Sequence, residues 1–462
     1  MRGVDARAPL ITAVPVSAVS LRTLAAVHPV RYPVFFDSAA LGPLARFSVL
    51  AAKPSAALFR DTEGKLSGQG MTPVAGGFLD NLEAWFRREA VAQVPEKRLP
   101  FLGGWFVYLG YEVAAEIEAR LRLPVAAGPY SAFALRVENL VVHELATDTV
   151  YAVSQHANPD DHARLIADLE AAARAPFPIS SEPPPLASLE EEPAELFLAR
   201  VRAAQEHIAA GDIYQANLSR RWRLELRDPG MSAQVYAALR RANPAPFAAS
   251  VQLDGMTLFS SSPERLLAIV GRDISTRPIA GTRARHGSAE QDRLDTAELV
   301  AHPKERAEHI MLIDLERNDL GRVCEAGSVT VDEYMVTESY AHVHHIVSNV
   351  RGRLRADRSP VDALRALFPG GTITGCPKVR CMQIIAALEG EGRGAYTGSL
   401  GWLGTDGDAD FNILIRTLTM RGKVIELRAG AGIVADSVPE RELEETRAKA
   451  RGLLRAFEAP HV

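Results

Sequence analysis

Six prolines, Pro176, Pro178, Pro183, Pro184, Pro185 and Pro193, crowd one short stretch of the chain and divide it. Proline fixes φ and offers no backbone donor, so this stretch holds neither a helix nor a central strand. With Ser180, Ser181 and the acidic run at 190–192 it reads as a linker or exposed crossover over 174–194. It separates an N-terminal region, 1–173, from a longer one, 195–462. The first region carries strand-like runs at 34–38, 47–52, 105–111 and 140–154, with helical stretches at 82–94 and 160–173. Beyond the prolines, helical periodicity covers 195–210 and stops at Gly211, and a strand follows at 214–224. Further helices are predicted at 307–317, 361–367 and 379–388. Further strands are predicted at 257–260, 266–270, 343–350, 398–402, 412–420 and 423–429. The class is α+β, long sheets with helices packed on them.

Hydrophobic residues at 47% and charged residues at 24% exclude global disorder. Lys plus Arg is 52 against 57 Asp plus Glu, and the net charge of -5 argues against a nucleic-acid surface. A local basic pocket for a small anion remains open. Cys324, Cys376 and Cys381 form no CxxC and are too few for a disulfide framework, which points to a reducing, cytoplasmic setting. No apolar run approaches the ~20 residues that span a bilayer. The stretch at 9–21 resembles a short signal core but lacks a small-x-small cleavage site, and is read as strand or loop.

Two carboxylate pairs stand out. Glu305-x-x-Glu308 follows Pro303, and Glu442-x-x-Glu445 follows Ser437-Val-Pro-Glu440, a capping-box pattern. A spacing of three puts each pair on one helical face, and hard oxygen donors from two helices suit Mg²⁺. Alone, each pair reads more plainly as a solvated helix face, the second with a Glu445–Lys449 ion pair. Pro369-Gly-Gly-Thr-Ile-Thr-Gly-Cys-Pro-Lys378 resembles an anion cradle but fails as a Walker loop, since Cys376-Pro377 stands where Lys-Ser/Thr belongs. That failure opposes phosphate transfer. Ala429-Gly-Ala-Gly-Ile433 is expected to be a glycine turn after a strand, and Pro278-Ile-Ala-Gly-Thr-Arg283 a second turn. His342, His344 and His345 lack the further ligands zinc needs. Glu264, in Ser262-Pro-Glu-Arg265, is a candidate acid, or else a surface partner of Arg265. Gly375-Cys376-Pro377 does not fit the nucleophile turn of a glutaminase.

Taken together and in order, these segments resemble the chorismate-utilising enzymes, the family of anthranilate synthase component I and aminodeoxychorismate synthase component I. The resemblance runs through Asp212-Ile-Tyr-Gln-Ala-Asn-Leu-Ser219, Ser262-Pro-Glu264, Arg277-Pro-Ile-Ala-Gly-Thr282, the Pro369 turn and the 430–445 stretch. It is weaker over the first 170 residues, where Phe36-Asp-Ser38 and Arg46-Phe-Ser48 look like the family's regulatory strands. It implies two large antiparallel sheets packed face to face, helices outside, and an active-site cleft between. By that resemblance Glu305, Glu308, Glu442 and Glu445 hold Mg²⁺ on the ring carboxylate of chorismate. Gly430, Gly432 and Lys449 match carboxylate-binding positions, and Tyr396 and Arg416 match those that hold the enolpyruvyl carboxylate. Gly281, Thr282 and His345 match ring-contacting positions, and Glu264 the acid that protonates the departing 4-hydroxyl. Asp37, Ser38 and Arg46 match a regulatory, tryptophan-binding region.

Gln215 stands where water-adding members carry a lysine base, so the resemblance implies an ammonia user. With no glutaminase machinery visible in the sequence, the ammonia is expected to come from a separate glutamine amidotransferase subunit, or from free ammonium. Tyr214-Gln-Ala-Asn217, Gly371-Thr-Ile-Thr-Gly375, Gly398-Ser-Leu-Gly-Trp402 and Asp37-Ser38 lean to the aminodeoxychorismate branch, which serves 4-aminobenzoate and folate synthesis. Ala280 and the 429–440 stretch lean to the anthranilate branch, because the first usually has a nucleophilic lysine at 280. The balance of motifs favours the first.

Overall fold

The computed structural model describes residues 8–458 save 41, 43, 93–96, 157, 179, 181, 286–287 and 340–342. Of 282–284, 289, 295, 303–304 and 343 only the backbone is described. Among the described residues two antiparallel sheets, of twelve and eleven strands, carry the fold; each total includes one strand off the main path, Gly375–Cys376 beside Gln215–Leu226 and Thr330–Ser339 beside Val343–Arg353. The first runs, neighbour by neighbour, through Leu10–Val14, Thr149–Ser154, Asn139–Glu144, Phe47–Ala52, Val34–Asp37, Phe247–Leu253, Met256–Ser262, Thr417–Arg421, Val424–Ile433, Gln215–Leu226 and Leu186–Glu191. The second runs through Ile279–Ala284, Val343–Arg353, Asp273–Arg277, Arg265–Val270, Ala409–Ile413, Ser399–Gly404, Gly104–Leu109, Ala132–Val137, Ala56–Arg60 and Leu66–Gln69. Both sheets are continuous across the two regions on either side of the prolines.

Alternating side chains explain the layering. One face of each sheet meets the other sheet through Val34, Phe106, Phe133, Val251, Leu258 and Leu400, all buried. Phe36 of the first sheet stacks on Phe106 of the second at 5.3 Å. The outer face of the first sheet takes the helices Val19–Val27, Pro159–Arg174, Ser232–Ala242 and Pro439–Leu454 over Leu50, Trp222, Phe259 and Leu427. The outer face of the second is covered by Phe78–Glu89, Pro303–Gly321 and Pro360–Leu367.

Most predicted elements are present with ends moved by a few residues, and the departures are local. The proline-rich stretch is not only a linker. Its proline-free part, Leu186–Glu191, pairs with Gln215–Leu226 as an edge strand, the one place where flanking prolines do no harm. The strand expected at 412–420 is two strands, one in each sheet. Ala409–Ile413 belongs to the second, and Thr417–Arg421 to the first. The chain crosses between them at Arg416, whose φ of 51° is left-handed. Ala429-Gly-Ala-Gly-Ile433 is the end of the Val424–Ile433 strand, not a turn. Ile279–Ala284 is likewise a strand, with a bulge at Gly281, φ +60°, where the register slips. The capping box at Ser437 does not form. Ser437 Oγ accepts instead from the Val434 N–H, and the helix Pro439–Leu454 begins without a side-chain cap. Among the described residues no helix is long and apolar enough to cross a membrane.

Candidate active site

The adjoining ends of the two sheets bring Glu264, Gly281, Glu305, His345, Arg416, Gly430 and Lys449 near one another. Glu264 stands just before the Arg265–Val270 strand and is 4% exposed. Its Oε1 accepts from Thr372 Oγ1 at 2.8 Å, and its carboxylate also takes the Ile279 backbone N–H. Arg265 is not its partner: that guanidinium grips Asp410 through two bonds of 3.0 Å. Burial pushes the Glu264 carboxyl up to about 7, against those two hydrogen bonds and the charges of Arg416 and Lys449. A carboxyl with that value is substantially protonated at neutral pH and can serve as a general acid.

The opposite wall comes from Gln215–Leu226 and Val424–Ile433, paired so that Asn217 faces Gly432 and Ser219 faces Gly430. Close approach excludes a side chain at Gly430, where the Leu218 backbone carbonyl is also near, and at Gly432 a side chain would displace the Gln215 amide. A Cβ on Gly432 would sit 2.6 Å from Gln215 Nε2, and one on Gly430 would sit 2.5 Å from Tyr396 Oη. Gln215 is buried, and its Oε1 has no partner among the described residues. A buried amide oxygen without a donor is ready to accept from an incoming N–H. Tyr396 is fixed from the same strand, its hydroxyl taking a hydrogen bond from Asn217 Nδ2 at 3.4 Å. Lys449 Nζ donates to Gly430 O at 2.9 Å and pairs with Glu445 at 2.8 Å.

The bulge at Gly281 shapes a third side. Its carbonyl accepts from Nδ1 of His345, 3.3 Å away on the paired Val343–Arg353 strand. Burial, helped by the Arg416 charge, pushes the imidazole down to about 3, so it is neutral at physiological pH. Glu305 Oε2 lies 2.9 Å from where a Cβ on Gly281 would stand. The backbone of Thr282 pairs with His345, while its side chain, like all of His342, lies outside the described residues. His344 turns elsewhere, to Ser339 Oγ. Arg416 carries its carbonyl to the Ser261 N–H at 3.0 Å, and its charge acts on both Glu264 and His345.

Glu305 and Glu308 lie one turn apart on Pro303–Gly321, and Glu442 and Glu445 one turn apart on Pro439–Leu454. Among the described residues no three His, Cys, Asp or Glu side chains form a group that could hold a metal ion. The acids thus make no all-protein cage. The carboxylates are hard oxygen donors, the type Mg²⁺ takes one or two at a time while keeping several waters. Lys378, expected to serve an anion cradle, is instead paired with Asp319.

A family model described as chorismate binding enzyme matches residues 46–455. The chain belongs to that family. Anthranilate synthase component 1 of Streptomyces coelicolor is 43% identical over 84% of this chain and 78% of its own length. Aminodeoxychorismate synthase component 1 of Bacillus subtilis is 37% identical over 93% of this chain and 92% of its own. The crystal structure of anthranilate synthase component I from Streptococcus pneumoniae superposes with a TM-score of 0.79 at 30% identity, covering 89% of this chain and 93% of that one. The protein is therefore an enzyme acting on chorismate, built on this family's paired antiparallel sheets.

One residue that holds this chorismate-utilising site escaped sequence reasoning. Arg393 is buried behind it, donating to Asn217 O at 2.6 Å and to both oxygens of Glu389 at 2.7 and 2.9 Å. It also reaches Ile373 O at 3.4 Å, and its guanidinium lies over the rings of Tyr111 and Tyr396. It therefore ties the Gln215 strand, the Thr372 turn and Tyr396 into one body.

Gly432→Ala tests the close approach at Gln215. The strand backbone accepts alanine, so the fold is expected to persist while the new methyl group displaces the amide. A misplacement near 1 Å costs about 10²-fold in a positioned reaction. The expected result is a fall of that order in kcat/KM for chorismate with an unchanged circular dichroism spectrum.

Proposed function

We propose that this enzyme aminates chorismate with ammonia to give 4-amino-4-deoxychorismate, water leaving as the 4-hydroxyl departs. The observation that carries this reading is Glu264: a buried carboxyl held near pKa 7 by its surroundings, within the field of Arg416 and Lys449. Hydroxide is a poor leaving group, so a proton must arrive as the C–O bond breaks. Chorismate is a dianion, and Arg416 and Lys449 supply positive charge to the site, the guanidinium suited to a two-point grip on the enolpyruvyl carboxylate. Gly430 and Gly432 leave room for the ring carboxylate, and Tyr396 for the enolpyruvyl end. Neutral His345 and Thr282 border the ring, and Gln215 accepts a hydrogen bond from the entering amine. Glu305, Glu308, Glu442 and Glu445 would hold Mg²⁺, which supplies charge neutralisation at the ring carboxylate. The near end-to-end match to the Bacillus subtilis aminodeoxychorismate synthase component supports the choice of product.

Ala280 favours a second reading, anthranilate formation with release of pyruvate. Its methyl group cannot form the covalent adduct at C2, so ammonia itself would add there. Product identification separates the two. The protein is incubated with chorismate, Mg²⁺ and ammonium, with and without an aminodeoxychorismate lyase. 4-Aminobenzoate appearing only with the lyase supports the first reading, and anthranilate fluorescence without it supports the second. Ala280→Lys is expected to give a substrate adduct detectable by intact mass; its absence would show that position 280 does not reach C2.

We infer that the ammonia comes from a separate glutamine amidotransferase subunit. Burial raises all three thiols, Cys381 to about 12 and Cys324 to about 11, so none is a ready nucleophile for glutamine. Ammonia release from glutamine by the isolated chain would overturn this. Tryptophan is a candidate effector for a cavity of about 750 Å³ bordered by Ser38, Arg46, Phe247 and Trp402. Asp37 also borders it, but its carboxylate is engaged by Arg240 at 2.6 Å and Tyr236 Oη at 3.3 Å.

A further inference from the structure

On the far side of Asp37 lies a second cavity, of about 240 Å³, on the outer face of the first sheet. It opens between the helices Val19–Val27 and Ser232–Ala242, and Phe177 of the proline-rich crossover closes it. The crossover is tied down there: the Phe177 N–H donates to Thr23 Oγ1 at 3.1 Å, and Arg241 Nη1 donates to Ser180 O at 3.4 Å. Three guanidinium groups, Arg22, Arg240 and Arg241, line this space, with the rings of Phe35, Tyr236 and Phe177. Asp37 pairs directly with Arg240, and its charge also reaches Arg22. Arg22 is half-buried, and burial followed by the Arg240 charge lowers its pKa, an effect that Asp37 and Tyr236 offset only in part and without a direct hydrogen bond or ion pair to it. A desolvated guanidinium beside another cation is unfavourable until an anion joins it.

We propose that this cavity is a binding site for a small aromatic carboxylate, its acid group held by Arg22 and Arg241 and its ring among Phe35, Tyr236 and Phe177. The volume is below the about 300–1,000 Å³ of drug-sized sites, which limits the ligand to a single ring. A planar guanidinium pair grips a carboxylate in two places, and the aromatic walls exclude a fully hydrated anion. The site stands apart from the chorismate site and does not depend on which amine that site makes.

The probe is 4-bromobenzoate, with inorganic phosphate as the anion lacking a ring. Crystals soaked in bromobenzoate are expected to show bromine anomalous density in this cavity. Calorimetric titration is expected to show binding that weakens at least tenfold in Arg22→Gln, with chorismate turnover unchanged. Ala237→Phe fills the space and should abolish the same binding, which serves if Arg22→Gln does not fold. Bromine found only in the chorismate site or between the sheets would overturn the proposal. So would equal affinity in both variants, or phosphate binding as tightly as bromobenzoate.

Discussion

Glu264→Gln is expected to lower chorismate turnover by about 10²–10⁴-fold, the span associated with loss of a positioned proton donor. The amide keeps the shape and can still accept from Thr372, so binding should change far less than kcat. With free ammonia held constant, kcat/KM of the native enzyme should fall about tenfold per pH unit above about 7, where the free carboxyl loses its proton. In the variant that limb should vanish. The substitution should have the opposite effect on stability. A carboxyl whose folded pKa is raised binds more protons folded than unfolded between its ordinary value and about 7. The native protein therefore loses stability as pH rises through that window, on the order of 3 kcal/mol by pH 8. The glutamine variant bears no such cost. Thermal melts at pH 5 and pH 8 should show it gaining on the native protein only at the higher pH. A variant as active as the native enzyme, or one melting lower at pH 8, would remove Glu264 from the acid's role.

What the sequence reveals of this site depends on how far each role is local. The Glu-x-x-Glu spacing is a property of one helix, and Pro303 marks its start, so these positions were legible before any fold was known. Glu264 was legible only as an acid beside Arg265, because its burial depends on Thr372 from a turn 108 residues away. The run at 412–420 reads as one strand since every residue in it suits a sheet. Nothing local says that its halves belong to different sheets, and the left-handed Arg416 has no glycine to announce it. Gly430 and Gly432 suggest a turn by composition. Their reason is close packing against Gln215 from the neighbouring strand and Tyr396 from a turn, which no window of sequence contains. Lys378 looked free for an anion because Asp319, its partner, sits on a distant helix. Asp37 was read with Ser38 and Arg46 as one regulatory patch. Alternation along the Val34–Asp37 strand sends its carboxylate to the helical face, toward Arg240.

Glu389 and Arg393 show the same limit most sharply and carry the largest expected effect on stability. Spacing of four alone would make them an exposed helix couple worth a few tenths of a kcal/mol. The helix ends between them, at Gly390 with φ 67°, and the chain folds Arg393 back into the interior. Both side chains are 1% exposed, and Glu389 also accepts from the Ser219 N–H at 2.8 Å and from Arg428 at 3.2 Å. Burial would raise this carboxyl, but Arg393 and Arg428 outweigh it and hold it down at about 2. Glu389→Ala leaves two buried guanidinium groups facing one lost partner, and an orphaned buried charge costs about 3–5 kcal/mol. Denaturant midpoints at pH 7 should fall accordingly. The pH dependence gives the sign. A depressed carboxyl contributes stability above its ordinary value, near 4.5, and loses it as pH falls toward about 2. The difference between native protein and variant should thus shrink between pH 4.5 and 2. Since Arg393 also holds Asn217 O, and Asn217 holds Tyr396, activity should suffer mainly through KM for chorismate. A variant whose midpoint matches the native protein at pH 7 would mean that the pair is solvated, and that the rear of the site is held by packing alone.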